Sequence, residues 1–199
     1  MKSAIILASL TVLSLAAPTL AATTDRYQYK GESAEASFYQ SDKCNYTSLG
    51  VSAFDNISKT APGSPTSQKE AYLYYYSYNY CNGTGSYGSG VLTNPNFTIS
   101  NLRSATLSGT FTVTDYFTGN TKNAAVSLEW IGDGDSYRGR SQSTYQGPGY
   151  FSKYQSVGSS RNASVTGNVT VDGTDLIANL STYGSLNSST SGSMFITKP

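Results

Sequence analysis

The sequence predicts an all-β fold: an antiparallel β-sandwich of about ten strands, immunoglobulin-like or jelly-roll-like, preceded by a signal peptide. Three observations predict it. Tyr72, Tyr74, Tyr76, Tyr78 and Tyr80 fall on every second residue, which places them on one face of a strand. Between Ser104 and Asp115, the phase Ala105, Leu107, Gly109, Phe111, Val113 alternates with Thr106, Ser108, Thr110, Thr112, Thr114; this is a half-buried strand, oily on one side and hydroxylated on the other. No segment after the first 22 residues carries the period of an amphipathic helix.

The chain opens on Lys2, an apolar run from Ala4 to Ala17 and the small-residue exit Pro18-Thr19-Leu20-Ala21-Ala22. That is the pattern of a secretory signal peptide, cleaved after Ala21 or Ala22. The run falls short of the ~20 residues that a spanning helix needs. Residues 1–22 are assigned to the signal and 23–199 to one domain, with no membrane span expected in the mature chain. The expected location is secreted, extracellular or periplasmic. An even pair of cysteines, Cys44 and Cys81, reads in that setting as one intramolecular disulfide.

Taken in order, Thr23 to Gly31 reads as a loose lead-in and Ser33 to Gln40 as a first strand. Tyr46 to Phe54 is a second, with Leu49, Val51 and Ala53 in phase. Ser58 to Gln68 holds two prolines and a glycine and reads as an exposed loop. The tyrosine strand, Glu70 to Cys81, follows. Gly83, Gly85 and Gly88 formally match G-x-G-x-x-G, but no helix pattern comes after them, so a flexible hairpin tip is the expectation. Phe97 to Leu102 is a short strand. Ser104 to Asp115 turns through Thr118-Gly119-Asn120 into a strand bearing Val126, Leu128 and Trp130.

Gly132 to Gly149 reads as a long excursion with an edge strand near Tyr137 to Gln146. Ala163 to Val171 repeats the earlier alternation (Ala163, Val165, Gly167, Val169, Val171), then turns at Asp172-Gly173 into a return strand with Leu176, Ala178 and Leu180. Ser193 to Thr197 is a last short strand. Two hairpins with one apolar face each predict two sheets packed face to face. The order of features also resembles that of secreted bacterial β-rich proteins of no named family. The residues that carry it are the Cys-ended aromatic strand, Ser104 to Thr110 (SATLSGT) and Ser127 to Trp130 (SLEW). The resemblance implies no activity and no site.

Composition excludes several chemistries. There is no histidine, which removes Ser-His-Asp and Cys-His catalysis and imidazole zinc sites. Taking Lys2 from the 13 cations leaves 12 against 12 acidic residues, so no basic field is expected to draw nucleic acid or anionic lipid. No cofactor is expected. A glycosidase would need two carboxyls ~5.5 Å apart, or ~6.5–9.5 Å apart for inversion; Glu129 and Glu35 are the nominal candidates. Asp133 and Asp135 form an acidic turn with too few oxygens for a calcium loop on their own. Eight N-x-[ST] triplets, Asn45-Tyr46-Thr47 among them, would be glycan acceptors in a eukaryotic secretory pathway.

Aromatic residues make up 13% of the chain. The tyrosine face, Tyr72 to Tyr80, with Tyr137, Arg138 and Tyr145, is the candidate contact for a glycan or protein at a cell surface. The expected function is a secreted, non-catalytic binding or surface-associated module. The alternatives are a carboxylate-based glycoside hydrolase and a self-associating coat or matrix protein.

Overall fold

A computed structural model describes residues 22–171 and 173–197. Residues 1–21, most of the expected signal segment, Asp172 and the last two residues therefore lie outside the described residues. Ten strands, all paired antiparallel, form a single sheet. They are β1 (Thr23–Ser41), β2 (Asn45–Ala61), β3 (Thr66–Asn79), β4 (Thr84–Thr93), β5 (Asn96–Ser100), β6 (Ser104–Asp115), β7 (Thr121–Gly147), β8 (Tyr150–Val171), β9 (Thr174–Asp175) and β10 (Ser181–Thr197).

The ladder closes on itself. β10 pairs with both β8 and β1, and β4 meets β6 at Gly88–Asp115 and Ser89–Thr114. The circuit β1-β2-β3-β4-β6-β7-β8-β10 is thus an eight-strand barrel, with β5 alongside β6 and β9 alongside β8. Closure needs glycine at the seam: a Cβ on Gly88 would stand 2.5 Å from the Thr114 carbonyl oxygen, and one on Gly90 2.6 Å from that of Thr112. The two hairpins expected to face each other are instead neighbours in one sheet, since β7 pairs with β8 from Ala124–Val171 to Gly132–Ala163. Period-two patterning fixes which side of a strand is oily, and a closed sheet satisfies that as well as two sheets do.

The interior is filled by alternate residues of the strands. Phe38, Leu49, Leu73, Leu107, Phe111, Trp130, Val169 and Leu186 are all buried; Val165 is half-buried and packs on them. Trp130, on β7, donates its Nε1 hydrogen to the Glu35 carbonyl of β1 at 2.8 Å, tying walls that do not pair. Gly167 sits opposite Leu128 with φ +127, and a Cβ there would collide with the Ser127 carbonyl.

Several strands are longer than their oily portion. The expected lead-in, Thr23 to Gly31, is the first half of β1, paired with β10 throughout and with β2 from Arg26 on. The expected loop Ser58 to Gln68 is mostly strand, reduced to a turn at residues 62–65. Of the glycines expected at a hairpin tip, Gly83 lies in the β3–β4 turn at φ +72, while Gly85 and Gly88 lie in β4. β10 runs over 17 residues, whereas the expected return strand at Leu176 to Leu180 is irregular and only Thr174–Asp175 pairs with β8. Polar, unpatterned segments look like loops in sequence; the ladder hydrogen bonds of flanking strands hold these extended.

These extra lengths of β7, β8, β10, β1, β2 and β3 continue past one end of the barrel as an open six-stranded extension. Its outer margin on one side is Ser136 to Gly147 of β7, which pairs only with β8 among the described residues; the expected edge strand at Tyr137 to Gln146 is this margin. A register shift between Asp133 and Ser136, with Gly134 at φ +66, marks where the extension begins.

Candidate functional site

At the other end of the barrel the turns gather round the disulfide, Cys44–Cys81. Asp42 organises the β1–β2 turn by accepting from the backbone of Cys44 and Asn45 at 2.8 and 2.7 Å. Asn79 does the same for Cys81 and Asn82 at the β3–β4 turn. Above them lies a cavity of about 470 Å³ at the barrel mouth. Its apolar lining includes Leu49, Val113, Val171, Leu176 and Leu180, and its polar lining includes Tyr75, Ser77, Ser86 and Lys122.

The strand period explains the lining. Leu49, Tyr75 and Gly88 are register partners, as are Thr47, Ser77 and, across β4, Ser86, so all point inward at the level where the apolar filling ends. Residues 176–180 fold across the opening. Leu176 N–H donates to the Val169 carbonyl at 2.8 Å, and Leu180 N–H to that of Ile177 at 3.1 Å. Ile177 is buried, while Ala178 and Asn179 are exposed.

One polar network borders the cavity. Asp115 is 7% exposed. Its Oδ2 accepts from Ser86 at 2.7 Å and from Tyr75 at 3.0 Å. Its Oδ1 accepts from the N–H groups of Phe117 and Thr118 at 2.9 and 3.0 Å. Donation by Ser86 and by the Thr118 amide, then by Tyr75 and Phe117, holds this carboxyl well below the usual carboxylate range, against the opposing pull of desolvation. Burial, and then the neighbouring Asp115, push the Tyr75 phenol upward. Both groups keep their usual charge at neutral pH, so the network behind the cavity wall holds a fixed negative charge and a neutral phenol.

The tyrosine row stands on the outer wall. Tyr72, Tyr74 and Tyr80 are exposed at 40, 48 and 62%, and Tyr76 and Tyr78 are half-buried. The rings lean on one another: Tyr76–Tyr78 at 6.5 Å, Tyr78–Tyr80 at 5.0 Å, with Tyr46 and Tyr87 beside Tyr76 at 5.9 and 6.4 Å. Tyr72 donates to Glu70 at 2.5 Å. Tyr137, Arg138 and Tyr145 are not part of this row. They lie on β7 in the extension, at the end of the barrel away from the disulfide, whereas the row runs along β3 toward the disulfide. Tyr137 and Tyr145 also take the opposite face from Arg138, as alternation requires.

Glu129 and Glu35 are both exposed on the outer wall, with β8 and β10 between their strands. Three strand spacings, roughly 14 Å along the sheet, exceed what a glycosidase pair spans. Asp133 flanks the bulge, and no group of three or more His, Cys, Asp or Glu able to hold a metal occurs among the described residues. Sequence reading missed the mouth cavity, because its lining comes from eight strands and a loop. A faint signal existed: Asp115 opens the Asp-Tyr-Phe-Thr-Gly turn, where an aspartate commonly caps the backbone two and three residues on.

No protein-family model matches the chain, and no curated protein matches it. Among solved structures it is similar to the crystal structure of a protein titled AttH from Nitrosomonas europaea, at 8% identity and a TM-score of 0.31; the match covers 88% of this chain and 52% of that one. The chain thus spans about half the length of that structure, and so distant a likeness carries no argument about function.

Proposed function

We infer that the protein is an exported, non-catalytic binding protein whose barrel mouth holds one small amphipathic ligand. The cavity at the mouth carries this reading: about 470 Å³ is in the range of small-molecule sites, and an apolar wall with a few convergent polar groups is their usual make-up. Eight-strand barrels have room for one such ligand where side chains do not fill them. Leu49, Val113 and Leu176 would take the apolar part; Tyr75, Ser77 and Ser86 would orient the polar end. Export follows from the N-terminal pattern and fits a disulfide.

The test is binding of the amphipathic dye 1-anilinonaphthalene-8-sulfonate to the folded protein, with Ala178→Trp as the variant. Ala178 is exposed at the lip of the cavity, so the indole fills the opening without disturbing the core. Saturable dye binding that drops at least tenfold in Ala178→Trp, at an unchanged melting temperature, is expected. Dye binding indifferent to the indole, or none at all, sinks the reading. The exposed tyrosines favour a second reading, a glycan or protein contact on the outer wall; Tyr74→Ala with Tyr80→Ala would weaken that contact and leave dye binding alone.

A further inference from the structure

The extension has two unlike faces. Register pairing assigns them: residues opposite one another share a face, and β1, β2, β8 and β10 run through without irregularity. The face continuous with the barrel interior carries six exposed cations, Arg26, Lys30, Lys59, Arg138, Arg140 and Lys153. Two more at its base are already engaged. Lys69 binds Asp55 at 3.2 Å, and Arg161 donates to the Gly134 carbonyl at 3.0 Å. Eight of the eleven described cations therefore stand on this face. Its two carboxylates, Glu32 and Asp55, each sit beside a lysine. The opposite face of these segments bears no cation; it presents serines and the rings of Tyr27, Tyr29, Tyr137, Tyr145 and Tyr154. The near-zero net charge hides this segregation, because a sum says nothing about placement.

The centre of the basic face is a groove of about 610 Å³. Its floor is Gly192, whose added Cβ would meet only the Tyr27 carbonyl oxygen, at 3.6 Å. In the row across Gly192 stand Gln142, Gln155, Gln28 and then Lys59. Arg140 and Lys30 lie in the next row on one side, Lys153 and Arg26 in the next on the other. Amides bind hydroxyls; ammonium and guanidinium groups bind carboxylates and sulfates, the guanidinium in two-pronged fashion.

We propose that this face is a binding site for an acidic polysaccharide, with the glutamine row on its hydroxyls and the flanking cations on its carboxylates or sulfates. Single-stranded nucleic acid fits less well. Its bases stack on aromatic rings that alternate with the cations, and the tyrosines here are on the other side of the sheet. The site is separate from the barrel mouth and does not depend on the ligand proposed there.

The experiment measures binding of polygalacturonate and of dextran sulfate, which separate uronate from sulfate recognition, with neutral dextran and single-stranded DNA alongside. Arg26→Gln with Lys153→Gln is compared with Lys43→Gln with Arg103→Gln, which removes the same charge elsewhere. Binding of at least one acidic glycan, weakened roughly tenfold or more by the first pair and under about twofold by the second, is expected for lost charged hydrogen bonds. In the unaltered protein the bound glycan should also protect Lys30 and Lys153 from acetylation while Lys43 reacts, a readout independent of how the variants fold. Equal losses in both pairs, equal acetylation of all three lysines, tighter binding of DNA than of either glycan, or no glycan binding would each overturn the proposal.

Discussion

Asp115 shows what one residue does at the junction of turn and barrel. Its carboxylate takes two backbone amides of its own turn and two hydroxyls from strands it barely pairs with. A depressed folded value means that its stabilisation is complete above the unfolded carboxylate value, near 3.9. It is lost as pH falls from there through the folded value. Asp115→Asn should therefore unfold at lower temperature at pH 7, and its melting temperature should fall less than that of the parent between pH 4 and 2. Parallel acid limbs for the two proteins would show that the network does not report the charge. Trp130 is the contrasting residue. Its burial was legible from its phase in the strand; its bond to the Glu35 carbonyl was not, since the partner lies 95 residues away.

At the scale of elements, glycine and tyrosine are paired across strands. Tyr74 faces Gly50, Tyr75 faces Gly88, Tyr78 faces Gly85 and Tyr150 faces Gly147. Each ring lies over the space where a Cβ would be, a ring covering the backbone that glycine leaves bare. The sequence announced the tyrosine period but not these pairs, because register is a property of two strands. It also understated the strands of the extension, whose two faces are both wet and so leave no alternation of oil and water to read. The disulfide was legible from an even pair of cysteines behind an N-terminus patterned like a signal peptide. It closes a loop of 37 residues, so Cys44→Ser with Cys81→Ser should cost about 4 kcal/mol in the chain-entropy account, measured by urea unfolding. A loss under about 1 kcal/mol would mean that the β2–β3 ladder already constrains the unfolded chain.

The whole molecule divides into a closed, oil-filled barrel and an open polar extension that share six strands. Long strands are the device that joins them: β7 spans 27 residues and β8 spans 22. Stability should be uneven along a single strand, since local opening is easiest where few apolar contacts form. In native-state hydrogen exchange, the amides of Leu107, Phe111 and Leu128 should exchange slowest. Those of Tyr137 to Tyr145, on the same β7 as Leu128, should exchange orders of magnitude faster. Equal protection along β7 would show that something covers the extension in solution.

The free margin of β7 has one more consequence. From Ser136 to Gly147 its outward carbonyls and amides have no strand partner among the described residues, which makes it a ready template for a further extended chain. Two copies pairing antiparallel about Gly139 would bring Arg138 of each against Arg140 of the other, like against like. The guanidinium pair of the basic face thus also discourages two copies from joining hem to hem in that register.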